Sequence, residues 1–191
     1  DSKSFLVCAA KPMGMIKPGE AGTVVPIEGP LPAGVLGEVR CHQQIYKRRG
    51  DVNGICRTVL RNVMTVSSFR LTPKPRHGFG SYFAPAPALW DTPALLRDDA
   101  SAARLAETMA TGRAIVMRGN GCITTGATVE EAIVMAFYLE EAAITELAVL
   151  AVGDNAHSAV LGPEEAAARA TGAGRIFERM WEYLTDGDPE T

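Results

Sequence analysis

The chain's three histidines are its first candidates for proton transfer. His77 sits in the run Arg76-His-Gly-Phe-Gly80, within a stretch rich in proline and aromatic residues. Imidazole titrates near neutrality, so a histidine in a pocket wall can serve as acid or base. A solitary loop histidine is more often simply solvated, and its type alone assigns no role. Tyr82, five residues on, offers a phenol from the same stretch, with packing as its plainer reading. His42 stands four residues after Glu38 and four before Tyr46, so a helix would put all three on one face. Two ligands do not make a metal site, and a hydrogen-bonded helix surface explains the spacing better. His157 falls in a polar turn and reads as solvated. Arg118-Gly-Asn-Gly121 is a turn with Asn120 between two glycines, a place that suits asparagine's tolerance of left-handed backbone. As a phosphate loop it is weak, because no full glycine-rich pattern runs into a helix.

These groups need a scaffold. Residues 4–8 read as a buried strand and 23–27 as a second, with Pro26 at an edge or strand end. Residues 37–49 read as a helix with Val39, Ile45 and Tyr46 inward, stopped by Gly50. A strand over 52–56 and a helix over 58–69 follow. Between Pro73 and Pro93 lie five prolines together with Phe79, Tyr82, Phe83 and Trp90. A long irregular stretch inside a compact domain is usually functional, and its aromatics suggest the wall of a pocket for an apolar or aromatic substrate. A helix is expected over 101–111, then strands over 114–117 and 122–125. Thr128-Val-Glu-Glu131 is a capping box opening a long helix to about Val152. Pro163 begins another helix, and 175–184 forms a last one with Ile176, Met180, Trp181 and Leu184 on its apolar face. The tail over 186–191 is polar.

The chain has 191 residues, 47% of them apolar, which suits one domain with a full core. The formal net charge of −3 and the scattered signs argue against a nucleic-acid partner. The densest basic run, Lys47-Arg48-Arg49, reads as a helix end, where cations complement the dipole. No apolar run approaches the roughly 18 residues that span a bilayer, and no signal peptide is visible. Cys8, Cys41, Cys56 and Cys122 form no CxxC pair, sit among apolar neighbours or in strand-like runs, and read as buried free thiols of a reducing cytoplasm. The chain starts at Asp1, directly before a strand-like run, so residues upstream are expected to be missing.

Three segments together resemble the class II aldolase/adducin family. They are Gly37-Glu-Val-Arg-Cys-His-Gln-Gln-Ile-Tyr46 with Asp51-Val-Asn-Gly-Ile-Cys56, then Trp90-Asp-Thr-Pro-Ala-Leu-Leu-Arg97, then the run from Arg113 through Gly126 to Ala132, with Phe137 to Ala143 downstream. The third is the most specific: strand, turn, strand, glycine, capping box and helix come in order. The resemblance implies an α/β, three-layer αβα fold, a largely antiparallel central sheet flanked by helices. It also implies a homo-oligomer, most often a cyclic tetramer with sites between subunits. The family's upstream helix and Gly-Asn-rich turn have no counterpart here.

Metal-dependent members of that family hold a divalent cation with three histidines, a His-x-His pair and the His of a His-Gly turn. By the resemblance these fall on Arg57, Val59 and Asn120, so neither metal nor other cofactor is expected. Arg57 then has two readings: an ordinary strand-end arginine, or a fixed cation standing where the metal would be. A guanidinium is always charged and forks toward a carboxylate or an enolate oxygen. Asn120 would hydrogen-bond the same anion, and His77 or Tyr82 would move a proton. Glu140 matches an acidic position of the family, with a structural role as the default. The function implied is a lyase-type enzyme that makes or breaks a C–C bond, aldol-type or decarboxylating, on a small carboxylate or aromatic substrate. The alternatives are a repurposed member catalysing cyclisation, dehydration or oxidation in bacterial specialised metabolism, and a non-catalytic adducin-like module.

Overall fold

In the computed structural model, residues 3–153 and 159–188 are described. His157 and residues 189–191 of the polar tail lie outside them. The chain divides into two compact units, one taking in the residues up to Gly50 and 94–107, the other residues 51–93 and 108–186.

In the first unit, β1 (Ser4–Val7) pairs antiparallel with β2 (Thr23–Pro26). Alternation gives the pair two faces. Phe5 packs on Tyr46 of α1 (Val39–Arg48), ring centroids 4.9 Å apart, and near His42, while Val25 is fully buried. Leu6 and Val24 stand opposite each other and are 70% and 63% exposed. The strand expected to be buried is therefore buried on one side only, because two strands offer a single covered face. Val39, Cys41, Gln43 and Ile45 are the buried residues of α1, and Gln43 Nε2 donates to the carbonyls of Pro26 and Gly29. Lys47 and Arg48 occupy its last turn, where cations suit the dipole.

The second unit holds a four-stranded sheet in the order β3 (Gly54–Thr58), β6 (Cys122–Gly126), β5 (Ala114–Met117), β4 (Ala88–Trp90). β6 is antiparallel to both neighbours, and β4 joins β5 in parallel. β3, β4 and β5 thus run the same way and end together. β4 is the element that pattern reading misses: three residues flanked by prolines carry no periodicity. The stretch around it is no open pocket wall. Residues 80–83 form a short 3-10 helix, with Tyr82 and Phe83 buried. Phe79 stacks on Tyr138 at 4.3 Å, and Tyr82 lies 5.4 Å from Tyr138 and from Phe177.

α4 (Val129–Val152) lies against β3 and β6, and α2 (Arg61–Ser68) packs on α4 and β5. Between them sit Val63, Val66, Val116, Cys122, Val134, Met135, Tyr138 and Leu139, all buried. α6 (Ile176–Leu184) lays Phe177, Met180, Trp181 and Leu184 over this core. The helix of 99–109, α3, buries Leu105 and Met109, and α5 (Pro163–Arg169) starts at its proline as expected. The capping box forms with a shift: Thr128 Oγ1 accepts from the Glu131 N–H, but the Glu131 carboxylate reaches back to the N–H of Ala127 rather than of Thr128. The whole is a mixed α/β fold, a mostly antiparallel sheet flanked by helices.

Candidate functional site

Arg57 and Asn120 meet where β3 ends and β6 begins. Arg57 is the fourth residue of β3, paired with Ile123. Asn120 sits in the turn from β5 to β6, flanked by Gly119 at φ +66° and Gly121 at φ +81°. Gly121 has two reasons to be glycine: the left-handed φ, and a Cβ that would fall 2.1 Å from the Thr58 carbonyl oxygen. The turn can therefore close onto β3 only because that side chain is missing. Arg57 Nη2 then donates to Asn120 Oδ1 at 3.0 Å, and Nη1 donates to the Thr58 carbonyl at 3.1 Å. Arg57 Nε is buried and has no partner among the described residues. A buried donor of this kind costs free energy unless something accepts from it.

Ser67 and Glu140 tie the neighbouring helices to this place. Ser67 is fully buried in the last turn of α2, and its Oγ accepts from the Gly119 N–H at 3.0 Å. α2 has no side-chain cap of its own. Glu140 of α4 supplies one, accepting from the Asn62 N–H at 3.0 Å, the Val63 N–H at 3.2 Å and Asn62 Nδ2 at 2.7 Å. Its role is structural, as the sequence suggested: an anion at a helix N-terminus.

His77 and Tyr82 lie elsewhere in this unit, within the aromatic cluster. The Phe79 N–H donates to His77 Nδ1 at 3.2 Å, which leaves the proton of the neutral ring on Nε2. That Nε2 is also buried without a partner among the described residues. Tyr82 is differently placed: its hydroxyl donates to the Thr171 carbonyl at 2.7 Å, and burial pushes its phenol above the usual range against the nearby Arg169 and Arg113. Among the described residues, no hydrogen bond, ion pair or ring contact joins either residue to Arg57 or Asn120. The loop is anchored by Arg76, which forks onto Glu146 (Nε–Oε2 2.7 Å, Nη2–Oε1 3.1 Å), both side chains being at least 95% buried. Burial acts to raise the Glu146 carboxyl, but Arg76 and the Lys74 N–H outweigh it and hold the group below the usual carboxylate range.

The donor set does not fit a divalent cation. Valine has no donor atom, a guanidinium repels a cation, and the Asn120 oxygen already accepts from Arg57. Among the described residues, no three His, Cys, Asp or Glu side chains gather in a way that could hold a metal. Cys122, across from Thr58, is pushed up to about 12 by burial and is inert as a thiolate.

Three residues at this end of the sheet carried no role from the sequence: Arg70, just past α2, Asp91, just past β4, and Arg118, just past β5, whose turn reads only as a weak phosphate loop. Arg118 Nε pairs with Asp91 Oδ1, and Arg70 Nε lies 3.6 Å from Asp91 Oδ2. Trp90 Nε1, next along from Asp91, is a third buried donor without a partner among the described residues. Arg118 stood in view beside Asn120, but nothing in the sequence linked it to Arg70 or Asp91, since the short β4 that brings Asp91 there gave no signal.

A mixed α/β fold with this helix–sheet order defines the aldolase-like class. The chain belongs to the class II aldolase and adducin N-terminal domain family, whose sequence model matches residues 10–147. Among solved structures it resembles an aldolase II superfamily protein from Pseudomonas syringae, with TM-score 0.76 and 23% identity over 95% of this chain and 76% of that one. L-fuculose-1-phosphate aldolase from Thermus thermophilus gives 0.67 and 23%, covering 81% and 82%. YgbL from Escherichia coli gives 0.69 and 18%, covering 88% and 86%. At these identities the likeness establishes the fold. No curated protein matches the sequence.

Proposed function

We propose that this chain is a lyase-type enzyme of the family in which Arg57 replaces the metal as a fixed cation. The observation that carries this is the Arg57–Asn120 pair at 3.0 Å with Arg57 Nε–H buried and unused. With one hydrogen bond from each terminal nitrogen already made, one further hydrogen on each remains for a ligand, while the unpaired Nε–H is buried behind them. Asn120 accepts from Arg57 with one lone pair of Oδ1 and keeps its Nδ2 hydrogens. Most of what the pair offers is donors, so the ligand it suits best is an acceptor: a small carboxylate, or the oxygen of an enolate. Such donors stabilise charge that develops on oxygen as a C–C bond breaks, the electrostatic part of a lyase reaction. Of the two proton-transfer candidates we assign His77, whose Nε2–H is unclaimed, rather than Tyr82, whose hydroxyl is bound to Thr171. We propose a homo-oligomer, a tetramer with sites between subunits as the family resemblance implies; the Nε2 of His77 is buried in its own chain and makes no contact with Arg57 among the described residues. We read residues 1–191 as one family domain. We place the protein in the cytoplasm because its four cysteines are all free thiols.

The test is turnover. The parent and Arg57→Ala are incubated with a panel of small 3-hydroxy and aromatic carboxylates, and release of aldehyde or CO2 is measured. Release by the parent that is lost in Arg57→Ala supports the proposal. A panel on which the parent binds but never turns over points instead to a non-catalytic, adducin-like module.

A further inference from the structure

The three residues beside Asn120 form a second constellation. Asp91 takes the Nε of Arg118 on one oxygen and faces the Nε of Arg70 at 3.6 Å with the other. A carboxylate that engages two guanidiniums through their Nε leaves the terminal nitrogens of both available. No other hydrogen bond or ion pair engages those nitrogens among the described residues. Three guanidiniums, Arg57, Arg70 and Arg118, thus share one sheet end with a single carboxylate pairing to them. The chain also holds Arg70 there in a demanding way. Its φ is +58°, a left-handed conformation that disfavours any residue with a Cβ. Its N–H donates to the Ser67 carbonyl at 2.9 Å, and Ser67 in turn holds Gly119 of the Asn120 turn. Arg70 directly follows Phe69, the C-cap of α2, where a left-handed residue is a common way to end a helix, so the end of α2 fixes where Arg70 stands.

We propose that Arg70 and Arg118, oriented by Asp91, form a second anion subsite, so that the ligand of this protein carries two acidic groups, one on Arg57 and Asn120 and the other on Arg118 and Arg70. This rests on Arg57 and Asn120 as the first anion site. The second group is a carboxylate or a phosphate, both of which accept from paired guanidinium nitrogens.

Calorimetric titration of the whole chain with acetate, succinate, glutarate and phosphoglycolate tests it, alongside Arg118→Gln, Arg70→Gly and Arg57→Ala. The parent is expected to bind at least one two-anion probe about tenfold or more tighter than acetate, the scale of one charge-assisted hydrogen bond. Arg118→Gln and Arg70→Gly should each remove that advantage, leaving the two-anion probe no tighter than acetate. Glycine accepts φ +58°, so Arg70→Gly should melt no lower than the parent, which separates lost binding from lost fold. A preference for phosphoglycolate over the dicarboxylates identifies the second group as phosphate; the reverse identifies it as carboxylate. The subsite is overturned if no two-anion probe binds the parent more tightly than acetate, or if both arginine variants keep the advantage. If Arg57→Ala leaves acetate binding intact while Arg118→Gln removes the two-anion gain, the metal-replacement proposal falls and the Arg70–Arg118 subsite stands alone.

Discussion

Truncating Arg57 should damage function far more than stability, and the structure sets the scale of both. Arg57→Ala removes two hydrogen bonds to neutral acceptors, Asn120 Oδ1 and the Thr58 carbonyl. At roughly 0.5–1.5 kcal/mol each the fold loses about 1–3 kcal/mol. For a chain of this size that lowers the melting midpoint by about 2–12 °C. The loss should sit at the lower end, because Arg57 is only partly buried and water can take its place at both acceptors. The ligand loses more: a buried anion deprived of its guanidinium forfeits about 2–4 kcal/mol, or roughly 30- to 1,000-fold in binding or turnover. Arg57→Lys keeps the charge but not the fork, and it should fall between parent and alanine. Activity or carboxylate affinity is measured together with thermal unfolding for both variants. If Arg57→Ala binds and turns over like the parent, cation replacement is wrong. If it is unfolded at the assay temperature, Arg57 is structural and the argument passes to Asn120 and His77.

Glu146 predicts an acid limit to stability. Its carboxyl is held below the usual range, so its stabilisation is complete above the unfolded-state value and is lost as pH falls through the folded one. The melting midpoint should therefore drop below about pH 4.5, and Glu146→Gln should flatten that drop while costing about 3–5 kcal/mol at neutral pH through the lost buried charge pairing with Arg76. The parent, dialysed and subjected to elemental analysis, should hold far less than one transition metal per chain; stoichiometric zinc at this site would overturn the placement of Arg57, Val59 and Asn120. Conversely, the triple change Arg57→His, Val59→His, Asn120→His should create a three-histidine site that takes up about one zinc per chain, with the open fourth position of catalytic zinc. Light scattering at micromolar concentration should give a multimer, most simply a tetramer; a monomer alone would rule out a site completed between subunits.

Elements with a strong local rule were legible. Thr128 and Glu131 announced α4, Pro163 announced α5, and the apolar run of β5 and the short strand β6 beyond its glycine-bounded turn were placed to within a residue. What local rules do not encode was missed. β4 exists because it pairs with β5, and neither its three residues nor their proline neighbours say so. The aromatic stretch was legible as important but not as core; Phe79 and Tyr82 find their partner in Tyr138, 59 and 56 positions away in the chain. For the site, the resemblance put Arg57 and Asn120 at one place, and a side-chain hydrogen bond joins them there. Asp91 between two arginines was invisible, because three different elements deliver those residues.

A fixed cation and a metal ion are not equivalent catalysts, and the difference narrows the chemistry open to this chain if the proposal holds. Both stabilise negative charge that appears on a substrate oxygen. Only the metal can also make a bound water acidic enough to ionise near neutrality and so make its own base. A guanidinium stays protonated throughout and donates hydrogen bonds only, so the base must come from elsewhere. His77 accepts the Phe79 N–H at Nδ1 and keeps its proton on a buried Nε2 without a partner among the described residues, so as a neutral ring it offers a hydrogen bond rather than a proton. Loss of CO2 from a 3-oxo carboxylate sends the C–C electron pair onto the carbonyl oxygen and leaves an enolate that solvent can protonate, so it needs no base and asks least of a donor-rich anion site. Aldol cleavage, which must first take a hydroxyl proton, asks more of this arrangement. In testing the proposed lyase activity, CO2 release is therefore the readout to monitor first.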